Sequence, residues 1–125
     1  MSHFTTIDIE IRDLAALADA CAEMGLPLLH QAEARGYGSQ RLAADHVIRL
    51  KGPYDIALVR REDGAYTFSA DLWRGHVEEE TGKNFGRLKQ LYGVHRATRE
   101  ARTKGLAVRR RQLTDGTVRL SLSRA

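Results

Sequence analysis

The chain has 125 residues, 42% of them hydrophobic, which suits one domain with one buried core. Its formal net charge of +4 conceals a division: residues 1–82 carry 8 Lys/Arg against 14 Asp/Glu, and residues 83–125 carry 12 against 2. The sequence has no long apolar run, no basic-apolar leader and no cysteine besides Cys21, which argues against a membrane span, a secretory signal, an intrachain disulfide and a thiolate-rich metal site. The expected compartment is the cytoplasm.

The first segment alternates, with Ile7, Ile9 and Ile11 on one side and Asp8 and Glu10 on the other, as a half-buried strand over residues 3–11 requires. Asp13 is placed to cap a helix in which Leu14, Leu17, Ala18, Cys21 and Met24 recur at helical spacing until Gly25 and Pro27 end it. Within that apolar stripe Cys21 reads as a buried cysteine rather than a reactive thiol. A short extended piece over residues 28–31 leads to Arg35-Gly36-Tyr37-Gly38-Ser39-Gln40, which has the glycine and polar content of a connection. Residues 42–50, 54–61 and 65–73 predict three strands, joined through Lys51-Gly52-Pro53 and Glu62-Asp63-Gly64 into an antiparallel meander. In the last of these strands Asp71 and Trp73 share a face.

From Asn84 to Lys104 the positions Phe85, Leu88, Leu91, Tyr92, Val94, Ala97 and Ala101 trace a helical stripe that Gly105 stops. Gly86 and Gly93 each weaken that helix by about 1 kcal/mol relative to Ala, and so point to close packing or a bend. The chain closes as a hairpin, residues 106–113 and 117–123, through the turn pair Asp115-Gly116. The order β-α-β-β-β-β-α-β-β describes an α+β fold, a mainly antiparallel sheet with two helices packed on one face, compatible with a ferredoxin-like core. The alternating rhythm of a dinucleotide-binding fold is absent.

Several short motifs dissolve on inspection. Gly36-Tyr37-Gly38 lacks the third glycine of a dinucleotide loop, Arg41 standing in its place, and reads as a turn. Thr81-Gly82-Lys83 is followed by Asn84 rather than Ser/Thr, and Glu78, Glu79 and Glu80 would repel a phosphate. His76 and Glu80 have the i, i+4 spacing of two metal ligands but no third, so no metal site is assigned and the segment reads as a solvated acidic stretch. His30 and His46 are boundary histidines, each with a packed ring and one hydrogen-bonded nitrogen. No cofactor is implied.

Two residue sets carry more information. Tyr54, Asp55, Asp71, Trp73, Tyr92 and His95 would cluster if adjacent strands and a covering helix converge. Asp71 could then orient His95 as a general base while Tyr92 or Tyr54 donates to a substrate. The simpler reading is that these groups satisfy one another at a helix-sheet junction, because no nucleophile or oxyanion motif accompanies them. The second set is Arg96, Arg99, Arg102, Arg109 and Arg111, a nucleic-acid surface if all emerge on one face. The preferred alternative pairs them with the acidic half, within the monomer, across an oligomer or with an acidic partner.

The start Met1-Ser2-His3-Phe4-Thr5-Thr6-Ile7, then Tyr54-Asp55-Ile56, Ala70-Asp71-Leu72-Trp73, Tyr92-Gly93-Val94-His95 and Asp115-Gly116-Thr117-Val118-Arg119-Leu120 occur in a telling order. Over nearly its full length the chain resembles the hypothetical chloroplast reading frame thirty-five family, also called domain of unknown function twelve fifty-seven. The resemblance implies a small protein of a bacterial, cyanobacterial and plastid family with no established activity, and it marks His3-Phe4, Tyr54-Asp55, Asp71, Trp73, Tyr92 and His95 as pattern positions. The arginine-rich second helix and following strand depart from the more mixed charge expected of plastid relatives. The expected function is a non-enzymatic cytoplasmic protein-binding or assembly module, using charged faces or an exposed strand edge on a protein partner or on another copy of itself. Nucleic-acid binding by the basic half is the alternative, and a small enzyme using the Asp/Tyr/His cluster the second alternative.

Overall fold

The computed structural model describes residues 3–124. Strand β1 (Phe4–Ile11) runs into helix α1 (Leu14–Met24), where Asp13 Oδ1 accepts the Ala16 N–H at 3.0 Å and Gly25, at φ 71°, ends the helix. The strands β3 (Arg41–Ile48), β4 (Ile56–Arg60) and β5 (Tyr66–Asp71) form the expected meander, and β2 (Leu28–Arg35), twice as long as the extended piece expected over 28–31, adds a fourth strand to it. β1 joins beside β5, so the sheet order is β1-β5-β4-β3-β2, antiparallel throughout. This is the α+β fold the residues call for. α1 carries the chain from one edge of the sheet to the other, a far wider split than the β-α-β of a ferredoxin-like core, which this sheet order does not form.

After β5 a 3-10 turn, Trp73–Gly75, leads to the short helix α2 (His76–Thr81), a second 3-10 turn, Lys83–Phe85, and helix α3 (Gly86–Thr103). α2 is missing from the sequence reading because six residues are too few to display a helical period. Trp73 therefore opens a turn and does not share a strand face with Asp71.

One face of the sheet carries the main core. Ile9, Ile11, Ile48, Ile56, Leu58, Phe68 and Ala70 meet Leu17, Ala20 and Cys21 of α1 and Leu88, Leu91 and Tyr92 of α3. Each large apolar side chain fully buried here contributes about 1.5–3 kcal/mol. Burial pushes the Cys21 thiol up to about 12, so it is an inert packing group.

α3 is unbroken through Gly93, which is exposed and has nothing within 4 Å of the position its Cβ would take. Neither close packing nor a bend accounts for this glycine. Gly93→Ala is therefore expected to stabilise the protein by about 1 kcal/mol, read as a higher urea midpoint at unchanged m-value.

Part of the opposite face is covered by the chain's own β2–β3 hairpin. Gln31 sits at φ 51° in the middle of β2, while the register runs without a slip from Leu28↔Ile48 to Arg35↔Arg41. The hairpin thus kinks rather than gaining a residue, and its far half folds back so that Ala34 packs on Val47 and Ala57, which alternate with the core-facing Ile48 and Ile56. The kink brings Arg35, at the far end of β2, to Asp55, whose N–H donates to Arg35 O at 3.0 Å. Strands β6 (Leu106–Gln112) and β7 (Val118–Arg124) form a separate two-stranded ribbon resting on α3 rather than extending the main sheet. Among the described residues no helix is long and apolar enough to cross a membrane.

Candidate functional site

Where the kinked hairpin meets the ends of β4 and β5, two buried aspartates fasten its tip. Asp55, with no exposed surface, accepts four hydrogen bonds from two residues: Arg35 N (2.9 Å), Arg35 Nε (2.9 Å), Arg35 Nη2 (2.8 Å) and Leu50 N (3.0 Å). The same guanidinium donates to Leu50 O and Gly52 O, each at 3.0 Å. Burial is the largest single influence on the Asp55 carboxyl and raises it, but the Arg35 side chain together with the Arg35 and Leu50 amides outweighs burial and holds it below the usual carboxylate value. Glu80 of α2 secures the neighbouring loop, accepting Lys51 N at 2.6 Å and Gly52 N at 2.9 Å.

Asp71 does for Tyr37 of the tip what Asp55 does for Arg35. It stands at the end of β5 opposite Phe4, fully buried, and accepts Tyr37 N on Oδ2 at 2.9 Å and Trp73 N on Oδ1 at 3.0 Å. Gly36 makes that seat possible, since a Cβ there would lie 2.8 Å from the Phe4 ring. One carboxylate thus joins the hairpin tip at Tyr37, 34 residues before it in the chain, to the turn at Trp73 that follows its own strand.

The result is an exposed aromatic pair on a rigid base. The Tyr37 and Trp73 rings meet edge to face with centroids 6.1 Å apart, and the Arg74 guanidinium lies 5.6 Å from the Trp73 ring centroid. Tyr37 is 46% and Trp73 40% exposed, although large aromatics are ordinarily well buried. Arg74 itself sits at φ 55°, in the left-handed region. Beneath them the buried Tyr54 packs edge-on to His76, with ring centroids 5.2 Å apart.

The expected six-residue cluster is divided. Tyr54, Asp55, Asp71 and Trp73 come to this end of the sheet, whereas the Tyr92 hydroxyl accepts the N–H groups of Arg12 and Asp13, each at 3.1 Å. Asp71 is opposite Phe4 at one end of β1 and Arg12 follows the other end, roughly 25 Å away along an eight-residue strand. His95, one turn beyond Tyr92, meets Glu23 Oε1 at 2.8 Å and lies 4.0 Å from Asp19. An Asp71–His95 acid-base couple is therefore not formed. His30 and His46, read as boundary histidines with a packed ring and one hydrogen-bonded nitrogen each, find that partner in one another across β2 and β3, Nδ1 to Nδ1 at 2.7 Å, with the Tyr66 hydroxyl 3.4 Å from His46 Nε2. Burial and then His30 lower the His46 pKa. Glu80 is turned to the loop amides and not toward a ligand shared with His76, and among the described residues no group of three such side chains is arranged to hold a metal ion.

The arginine set is divided as well. Arg99 grips Asp19 through Nε (2.6 Å) and Nη2 (3.1 Å), and Arg110 grips Glu23 at 2.8 Å through both terminal nitrogens. The Arg110 hydrogen bonds lead the causes that hold Glu23 down to about 2. Arg102 lines the same cleft between α1 and α3, and Arg96 is exposed on α3. Arg109 and Arg111 emerge on the far side of the ribbon, away from these pairs. Part of the basic half is thus neutralised by the acidic half inside one molecule. Sequence reasoning missed Arg35, Tyr37 and Arg74; the only local signal was an aromatic side chain between two turn glycines.

No curated protein and no solved structure matches the chain. A family model described as "Protein of unknown function (DUF1257)" matches residues 20–121, a span that contains both aspartate clamps and the aromatic pair. The chain belongs to the DUF1257 family.

Proposed function

We propose that this chain is a non-enzymatic binding module that holds a protein partner through Tyr37, Trp73 and Arg74. The observation that carries this reading is the exposed aromatic pair, fixed from below by the Asp71 carboxylate. Trp, Tyr and Arg are the side chains most enriched among residues that dominate binding energy, and a surface already ordered in the free protein loses little entropy on association. The buried carboxylates beneath it are engaged with backbone amides and a guanidinium, which suits a scaffold better than proton transfer.

Affinity purification of the full chain from native lysate, beside Trp73→Ala and Tyr37→Ala, tests this. The wild type is expected to retain a protein in stoichiometric amount at low and high salt, and each variant to weaken retention by about 30-fold, equivalent to a loss of about 2 kcal/mol. Both variants should unfold within about 1 kcal/mol of the wild type, since neither ring is in the core. If the wild type is instead a dimer that Trp73→Ala disperses in light scattering, the partner is a second copy. Equal retention by wild type and both variants would remove the aromatic pair from the reading.

A further inference from the structure

Over its central pairs the outer face of the β6–β7 ribbon carries only arginines and small side chains. In its register Ala107 faces Ser123, Arg109 faces Ser121, and Arg111 faces Arg119, so alternation places these six side chains on one side. All six are exposed, and the other side carries Leu106, Val108, Val118 and Leu120, which are half-buried. Among the described residues Arg109, Arg111 and Arg119 take part in no ion pair, in contrast to Arg99 and Arg110. The nearest acidic residue in sequence, Asp115, is occupied in the turn by Thr117 N and Oγ1. Two arginines directly opposite on one face repel each other, an arrangement that an external anion relieves.

We propose that this face binds the phosphate backbone of nucleic acid through Arg109, Arg111 and Arg119. Guanidinium groups match phosphate oxygens with paired donors, and serine hydroxyls beside them supply further donors of the kind that contact backbone phosphates. A protein partner would require an apolar centre that can be desolvated, and this face offers only Ala107 and two serines between its charges. A two-stranded ribbon also has the width that enters a major groove. The site is distinct from the Tyr37–Trp73 pair and does not depend on it.

Fluorescence anisotropy with a short labelled duplex DNA, titrated with the full chain, provides the test. Three phosphate contacts predict a slope of log affinity against log salt of about −2.7, or a loss of about 40-fold between roughly 50 and 200 mM salt. Arg119→Glu should abolish binding at about 200 mM salt while raising the melting temperature, because it places opposite charges across the ribbon. Arg110→Ser removes a charge already paired with Glu23 and should leave the slope unchanged. Absence of binding at about 50 mM salt, or equal losses from Arg110→Ser and Arg111→Ser, would overturn the proposal. So would a labelled polyglutamate peptide bound as tightly as the DNA, which would reassign the face to acidic protein.

Discussion

Asp55→Asn is expected to destabilise the protein by about 3–5 kcal/mol, the cost typical of removing one member of a buried ion pair. The amide retains one acceptor oxygen but turns an NH2 group either toward Arg35 N and Nε, which donate to Oδ2, or toward Arg35 Nη2 and Leu50 N, which donate to Oδ1, and it leaves the Arg35 guanidinium without its counter-charge. For a domain whose whole stability is about 5–15 kcal/mol, this is a large fraction, read directly as a lower urea midpoint. The pH dependence has a definite sign. The folded-state pKa of Asp55 lies below the ordinary 3.8, so its contribution is fully present above that value and is lost as pH falls through the folded-state value. Wild type should therefore lose stability steeply in acid, and Asp55→Asn should show a shallower loss over the same range. A variant within about 1 kcal/mol of the wild type, with an unchanged acid profile, would show that Asp55 does not anchor the hairpin.

The elements of the fold other than the six-residue α2 were legible because each carries a local signature. Asp13 and Gly25 bracket α1, the isoleucines of β1 alternate, and Asp115-Gly116 turns the final hairpin. The site was only half legible, for a physical reason. Alternation shows that Asp71 lies across its strand from the core face, but which group meets it there depends on the Gln31 kink that folds the β2–β3 hairpin over that face. Nothing in a glutamine within an extended run announces a left-handed backbone. The same kink joins Arg35 to Asp55 across 20 residues, a pairing without periodicity. Tyr92 and His95 did share a helical face as their spacing requires, yet that face looks onto α1 and the β1–α1 junction, the far end of β1 from Asp71.

Asp71→Ala is expected to cost about 2–4 kcal/mol and, unlike Asp55→Asn, to act directly on the exposed aromatic pair. It strands the Tyr37 and Trp73 N–H groups, each worth about 1–3 kcal/mol when left unsatisfied in a protected position. Trp73 is the only tryptophan in the chain, so tryptophan emission, excited beyond the absorption of the four tyrosines, reports on this place and nowhere else. In the still-folded variant the emission should shift to the red and its anisotropy fall, as the indole loses its edge contact with Tyr37 and moves independently of the hairpin tip. Asp71→Asn, which keeps one acceptor oxygen, should fall between the two. Partner affinity should decline in the same order although none of these substitutions touches an exposed ring, because a pair that must be ordered on binding carries an entropy cost that the wild type meets on folding. If Asp71→Ala loses stability while Trp73 emission and partner retention stay at wild-type values, the buried carboxylate serves the fold alone and the aromatic pair is held by other contacts.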